Sequence, residues 1–321
     1  MPVSASTRSV PQGVLYTVGK FARLVKYQFV LDFLLALVIV WTALEPAERL
    51  SGVTLTTLLL FALGQVGVLF AVMTLDDVTG IKDGSDTANY VHAGKTALRP
   101  LKRKPLLTGE LTVRQAQWYG YASLAWGALW WTATVLYTPH RPLWVLVVTV
   151  LLLVLSVQYS WGLKLSYIGL GEALLLFSAS AFVIAPHGLA TGEWSALLLT
   201  EGLLFGFGQL LIAGYSNTND IPGDRAVGRR TVAVLTSPRG NRIFLGLLTA
   251  CNLLVLLVPA FAGWLPWWFP VVLLPFAVLR VHQYVGFLRG GDPLLARKRG
   301  VVVFRTVVAC SVVFNLLYHA L

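Results

Sequence analysis

The sequence predicts an all-helical protein that crosses a membrane many times. Three observations carry this: a composition poor in charge, apolar blocks of membrane-spanning length, and a one-sided distribution of lysine and arginine. Of 321 residues, 56% are hydrophobic and 12% charged. That is about half the roughly 25% charged residues of a water-soluble domain. Too little polar surface is available to face water, whereas about 20 apolar residues at a 1.5 Å rise suffice to cross the hydrocarbon of a bilayer.

The elements follow in order. The first 28 residues are polar, then mildly amphipathic and basic (Lys20, Arg23, Lys26), and predict an interfacial helix with no cleavable signal peptide. Nine apolar blocks come next: Phe29–Leu44, Val53–Leu75, Trp118–Leu136, Leu143–Tyr159, Leu170–Ile184, Ala196–Ala213, Ile243–Phe261, Trp264–Val281 and Val301–Leu317. Only the short stretch 160–169 separates the fourth from the fifth. The expectation is a single domain over residues 1–321, a nine-helix transmembrane bundle around a central apolar cavity. Trp194, Trp264, Trp267 and Trp268 fall near the outer ends of spans, where amphipathic rings anchor to the interface.

Charge fixes the expected orientation. With the N-terminus inside, all but Arg49 and Arg141 of the 25 lysines and arginines lie in or next to the tail and the loops after spans 2, 4, 6 and 8. This asymmetry follows the positive-inside rule and predicts a multi-pass protein of the cell membrane. The net charge of +11 is then mostly topology and calls for no nucleic acid. Cys251 and Cys310 lie within apolar blocks without metal spacing and read as packing residues. His92, His140, His187, His282 and His319 also lack metal spacing and read as loop or interface residues. Asp32, inside the first span, is expected to pair with a basic residue or face the cavity. Asn252 and Asn315 are expected to bond between helices.

Function is written in the acidic residues. Six of the 14 lie in two short segments. The first, after span 2, runs Asp76-Asp77-Val78-Thr79-Gly80-Ile81-Lys82-Asp83-Gly84-Ser85-Asp86. The second, after span 6, runs from Asn217 through Asp220 and Asp224 to Gly228-Arg229-Arg230-Thr231. Both follow even spans and so emerge on the cytoplasmic side. Asp220 and Asp224 are four apart, on one helical face. On an unbroken helix Asp83, seven residues from Asp76, shares its face, and Asp86 lies about 80° further round; unwinding at Gly80 and Gly84 would bring Asp86 in instead. Solvated acidic loops are common on membrane proteins. Two such loops at matched span ends point further, because each lies beside a basic stretch: Lys95, Arg99, Lys102, Arg103 and Lys104 in one, Arg225, Arg229 and Arg230 in the other. Facing carboxylates repel unless a cation neutralises them, and hard oxygen ligands suit Mg²⁺, which bridges carboxylates to substrate phosphates. Carboxylates and cations beside an apolar cavity fit a metal diphosphate with a greasy tail.

The motif Asp220-xxx-Asp224-xxx-Gly228-xx-Thr231, with Asn217 before it, resembles the second aspartate motif of the UbiA superfamily of intramembrane prenyltransferases, most closely its dihydroxynaphthoate (menaquinone) branch. Tyr159-Ser160 followed by Tyr167-Ile168-Gly169-Leu170-Gly171-Glu172 is similar to that branch's signature before its fifth helix. Lys104-Pro105-Leu106 with Gly109 resembles a stretch of the loop after helix 2. The first motif departs from the pattern: where that branch has Asn-Asp-xx-Asp, this chain has Asp76-Asp77-xx-Gly80.

The resemblance implies a Mg²⁺-dependent enzyme. Asp76, Asp77, Asp220 and Asp224 would be catalytic and hold metal, with Asp83 or Asp86 contributing. Arg23, Lys104, Lys164, Arg229 and Arg230 would neutralise the diphosphate, and Asn217, Tyr159 and Glu172 would line the substrate site. The partners implied are a prenyl diphosphate, a lipophilic acceptor and the bilayer. Terpene cyclisation of the same substrate is the second outcome the resemblance allows. A transporter would show inverted repeats and a midplane site, neither evident here, and a membrane scaffold would not need two acidic motifs at matched helix ends.

Overall fold

A computed structural model describes residues 13–92 and 100–321. Lys95 and Arg99 of the first basic stretch lie outside these residues. The protein is all-helical. Among the described residues ten helices exceed ten residues: α1 Val14–Leu24, α2 Tyr27–Ala43, α3 Gly52–Lys82, α4 Val113–Tyr137, α5 Leu143–Ser156, α6 Gly171–Thr191, α7 Ala196–Ala226, α8 Pro238–Phe261, α9 Leu274–Gly290 and α10 Pro293–Tyr318. Eight of the nine apolar blocks fall mainly on one of these helices each, and the eighth block only in its second half.

By length and hydropathy α3, α6, α7, α8 and α10 suffice to cross a membrane, and the bent pair α1–α2 makes a sixth. The protein is a multi-pass membrane protein. The lipid face is legible in its surface: Leu59, Leu129, Val150, Leu247 and Phe261 are exposed although apolar, whereas Gln65, Glu201, Arg280 and Asn315 are buried. This inverts the distribution of a soluble domain.

Consecutive helices pack against one another, and α10 returns against α2 and α7 to close the bundle. α3 and α4 approach each other closely. A β-carbon on Gly67 would stand 2.7 Å from the Gly127 backbone nitrogen, so the two backbones touch where neither carries a side chain. Phe33, Phe182, Phe205 and Phe304 interlock edge to face at the centre. Asp32 pairs with Arg305 of α10 at 2.8 Å. Asn315 donates to Thr42 and Glu201 across three helices. Asn252, expected to act likewise, is buried with no hydrogen-bond partner for its amide among the described residues.

Several helices differ from their apolar blocks, and in three the physical reason is plain. α3 continues to Lys82 and α7 to Ala226, past the apolar stretch and into the acidic motifs. Apolarity marks where lipid is crossed, not where hydrogen bonding stops. The eighth block is displaced: its first half holds only the short helix Phe269–Val272, and α9 starts at Leu274. Pro266, Pro270 and Pro275 interrupt the ladder there, because proline lacks the N–H a helix interior needs. His187, read as a loop or interface residue, lies within α6 and is buried.

Candidate functional site

A cavity of about 250 Å³ opens among α2, α3, α6, α7 and α10. Its inner walls are apolar: Phe29 and Phe33 from α2, Leu69, Val72 and Met73 from α3, Phe182 from α6 and Ile212 from α7. Its other end is charged, lined by Asp76, Asp86, Asp220, Asp224, Lys104 and Arg229. Both acidic motifs therefore meet at one end of one cavity.

The first motif is shaped by a helix end. α3 stops at Lys82, and Gly84 adopts a left-handed conformation (φ +85°) that β-carbon-bearing residues avoid. The break turns the chain back, and Asp86 returns over α3. Its carboxylate lies against Gly80: a β-carbon there would sit 2.6 Å from Asp86 Cγ. Asp83 takes a different course. One of its oxygens accepts the Ser85 backbone N–H at 2.9 Å and the other accepts the Tyr167 hydroxyl, so it braces the break outside the cavity lining.

Two lysines serve the first motif. Lys104 Nζ lies 2.7 Å from Asp77 Oδ1 and 2.8 Å from each Asp86 oxygen. Burial opposes the charge of this ammonium, but the Asp77 and Asp86 carboxylates prevail and hold its pKa well above the ordinary lysine value. Burial in turn pushes the Asp86 carboxyl up, more than Lys104 pulls it down. Lys26 Nζ reaches Asp77 at 3.0 Å and Asp76 at 3.5 Å. Its backbone is left-handed (φ 51°) at the 65° bend between α1 and α2. A non-glycine residue in that region is held there by its surroundings.

The second motif lies on the last turns of α7. Asp220 and Asp224, four apart, share the face turned to the cavity and are both buried. Past the helix end, Gly228 (φ +75°) reverses the chain and brings Arg229 back to 3.8 Å from Asp224. The guanidinium lies over the Tyr167 ring at 5.1 Å and donates to its hydroxyl at 3.3 Å. Burial disfavours its charge, but Asp76 and Asp224 raise its pKa above the ordinary arginine value. Burial pushes the Tyr167 phenol up to about 12.

The other sequence-assigned residues separate into two groups. Tyr159 and Asn217 line the cavity. Asp77 stands behind the lining, fully buried, reaching it through the two lysines. Glu172 accepts from Asn217 at 3.2 Å and from the Val232 backbone at 3.0 Å, so it orients a lining residue rather than lining. Arg23 pairs with Glu110 away from the cavity. Lys164 is exposed, packed on the Tyr167 ring at 5.1 Å. The Arg230 side chain is exposed, while its backbone N–H donates to Ser166. Sequence reasoning missed Lys26, Asn89, Gln209 and Arg297 as site residues. Lys26 immediately precedes an apolar helix and Arg297 begins the basic run Arg297-Lys298-Arg299, signals too common in this basic chain to single either out.

Among the described residues no three carboxylate, imidazole or thiol groups form a ready-made metal cage. The donors of Asp76, Asp220, Asp224 and Asn217 at the charged end are hard oxygens, which fit a divalent cation that completes its shell with ligand phosphate and water.

A search of curated protein sequences finds no match. A model of the UbiA prenyltransferase family matches residues 25–306. Solved structures are similar in fold. A UbiA homologue from Archaeoglobus fulgidus bound to DMAPP and Mg²⁺ is 15% identical with a TM-score of 0.65, covering 93% of this chain and 99% of that one. A UbiA homologue from Aeropyrum pernix K1 is 17% identical with a TM-score of 0.65, over 89% and 98%. A structure of digeranylgeranylglyceryl phosphate synthase is 13% identical with a TM-score of 0.62, over 94% and 99%.

Proposed function

The chain belongs to the UbiA prenyltransferase family, and on that premise we propose that it ionises a prenyl diphosphate and transfers the prenyl group to a lipophilic acceptor. One observation carries the reading: one cavity whose charged end joins two acidic motifs to lysine and arginine and whose remaining walls are mainly apolar and aromatic. A prenyl diphosphate has the same division.

Mg²⁺ bound with the substrate supplies charge neutralisation of the leaving diphosphate. Asp220, Asp224 and Asp76 would hold it, and Asn217, set by Glu172, would add an amide oxygen. Arg229 and Lys104 face the diphosphate oxygens. The Tyr167 ring and hydroxyl hold the Arg229 guanidinium at the site. The C–O bond to the diphosphate breaks with both electrons leaving on oxygen, and an allylic cation remains. Phe29, Phe33 and Phe182 keep water from that cation. A carbon of the acceptor then forms the new C–C bond and loses its proton. The distribution of lysine and arginine supports nine crossings with the charged end of the cavity at the cytoplasmic face of the cell membrane.

Purified protein incubated with Mg²⁺ and the C10, C15 and C20 prenyl diphosphates, each with and without a panel of quinoid and phenolic acceptors, tests this. Prenylated acceptor is expected. A cyclic hydrocarbon or alcohol formed without acceptor assigns the chain to terpene cyclisation instead. Intact substrate under every condition overturns the enzymatic reading.

A further inference from the structure

The first acidic motif holds a cation inside it. An ammonium, Lys104 Nζ, occupies the point between Asp77 and Asp86, within 2.8 Å of three carboxylate oxygens. A metal ion shared by these two carboxylates would need the same point, because Mg²⁺ binds oxygen at about 2.0–2.1 Å. The lysine is built into place. It is 4% exposed, its backbone N–H donates to Leu101 and its carbonyl accepts from Thr108, and its ammonium lies 5.3 Å from the centroid of the Tyr90 ring. Asp86 reaches it only because residue 80 has no side chain and Gly84 permits the left-handed turn.

We infer that Lys104 is a fixed cation of the site, standing in for one divalent ion, so that the loaded site holds a single divalent cation, on the side of Asp220 and Asp224. The inference rests on the reading of the cavity as a metal-diphosphate site, and it assigns Asp77 and Asp86 to holding lysine rather than metal. Electrostatics supports the exchange. Asp77 is fully buried and touched by two ammonium groups, Lys104 and Lys26. Buried carboxylates paired in this way offer little to a dication that must first displace a salt-bridged lysine. Removing the Lys104 charge leaves two buried carboxylates facing a vacated point, which is a site for a hard cation.

The test counts metal. Full-length protein in detergent is saturated with Mn²⁺ and geranyl thiolodiphosphate, an unreactive substrate analogue, then desalted. Bound metal per chain is measured by atomic emission, and coupling between neighbouring Mn²⁺ ions by electron paramagnetic resonance. The parent is expected to retain one ion without coupling, and Lys104→Met to retain two that couple. Asp86→Asn, which keeps the lysine, is expected to leave the parent count unchanged and so serves if Lys104→Met does not fold. Two coupled ions in the parent overturn the inference while leaving the proposed function standing, as does loss of the ion in Asp86→Asn or a folded Lys104→Met that retains only one. No bound Mn²⁺ in the parent overturns the metal-diphosphate reading, and this inference with it.

Discussion

The carboxylate of Asp86 lies over Gly80, six residues earlier on the same chain, so closely that a β-carbon on residue 80 would stand 2.6 Å from Asp86 Cγ. The two positions compete for one space. A side chain at residue 80 and the observed placement of Asp86 exclude each other, and the chain has resolved the competition in favour of Asp86.

Gly80→Asp therefore is expected to be damaging by itself. It drives a second carboxylate into an occupied space, and overpacking of this kind costs about 1–3 kcal/mol. Combined with Asp86→Ser, the same substitution is expected to recover part of the thermal stability and turnover. A Gly80→Asp single variant as stable and active as the parent would show that Asp86 moves aside freely.

Asp83 caps α3 in helical phase with Asp76, its N–H still donating to Thr79 at 2.9 Å, and the turn at Gly84 follows it; its carboxylate nevertheless stays out of the cavity lining. Asp83 instead accepts from Tyr167 and the Ser85 backbone. Asp83→Asn is expected to lower stability modestly and to leave the Mg²⁺ dependence of turnover unchanged. A shifted Mg²⁺ titration would place Asp83 among the metal ligands after all.

Asp220→Ala and Asp224→Ala are each expected to abolish turnover while the protein stays monodisperse on gel filtration. Removing either carboxylate leaves the diphosphate charge poorly neutralised. Near-normal activity of Asp224→Ala in detergent would remove the second motif from the mechanism.

Arg229 lies over the Tyr167 ring at 5.1 Å and donates to its hydroxyl at 3.3 Å. Arg229→Lys keeps the charge and loses the guanidinium contact with the ring, worth about 0.5–2 kcal/mol. A several-fold fall in kcat/KM is expected, and Tyr167→Phe, which keeps the ring, is expected to be milder. The Tyr167 phenol, pushed up to about 12 by burial, remains protonated below pH 10. Any stability from its raised pKa is thus complete below the ordinary tyrosine value and is lost only as pH rises through about 12. Thermal stability measured from pH 6 to 9 is expected to show no step removed by Tyr167→Phe.

Glu172 is the acceptor that fixes Asn217 and the backbone N–H of Val232. Glu172→Ala leaves two N–H groups without that acceptor, at about 1–3 kcal/mol. A lower Tm together with a raised KM for the prenyl diphosphate is the expected result. A change in Tm alone would confine Glu172 to a structural role.

The sequence by itself determined the all-helical class and the helical nature of most apolar blocks. Lipid admits only backbone that satisfies its own hydrogen bonds, so hydropathy over about 20 residues fixes a helix with little help from its neighbours. Asp220 and Asp224 were legible for a similar reason, since α7 runs unbroken through both and the four-residue spacing alone puts them on one face. Tertiary structure decided the rest. Asp83 and Asp86 differ by three residues and cannot be ranked without the backbone turn at Gly84. Lys26 and Lys104 are two basic residues on a face where most of the basic residues gather. Their role arises because the bend between α1 and α2 and the loop before α4 deliver both ammonium groups to Asp77. Residue type and spacing are local quantities, whereas the pairing of a buried charge depends on what a distant stretch of chain brings within 3 Å of it.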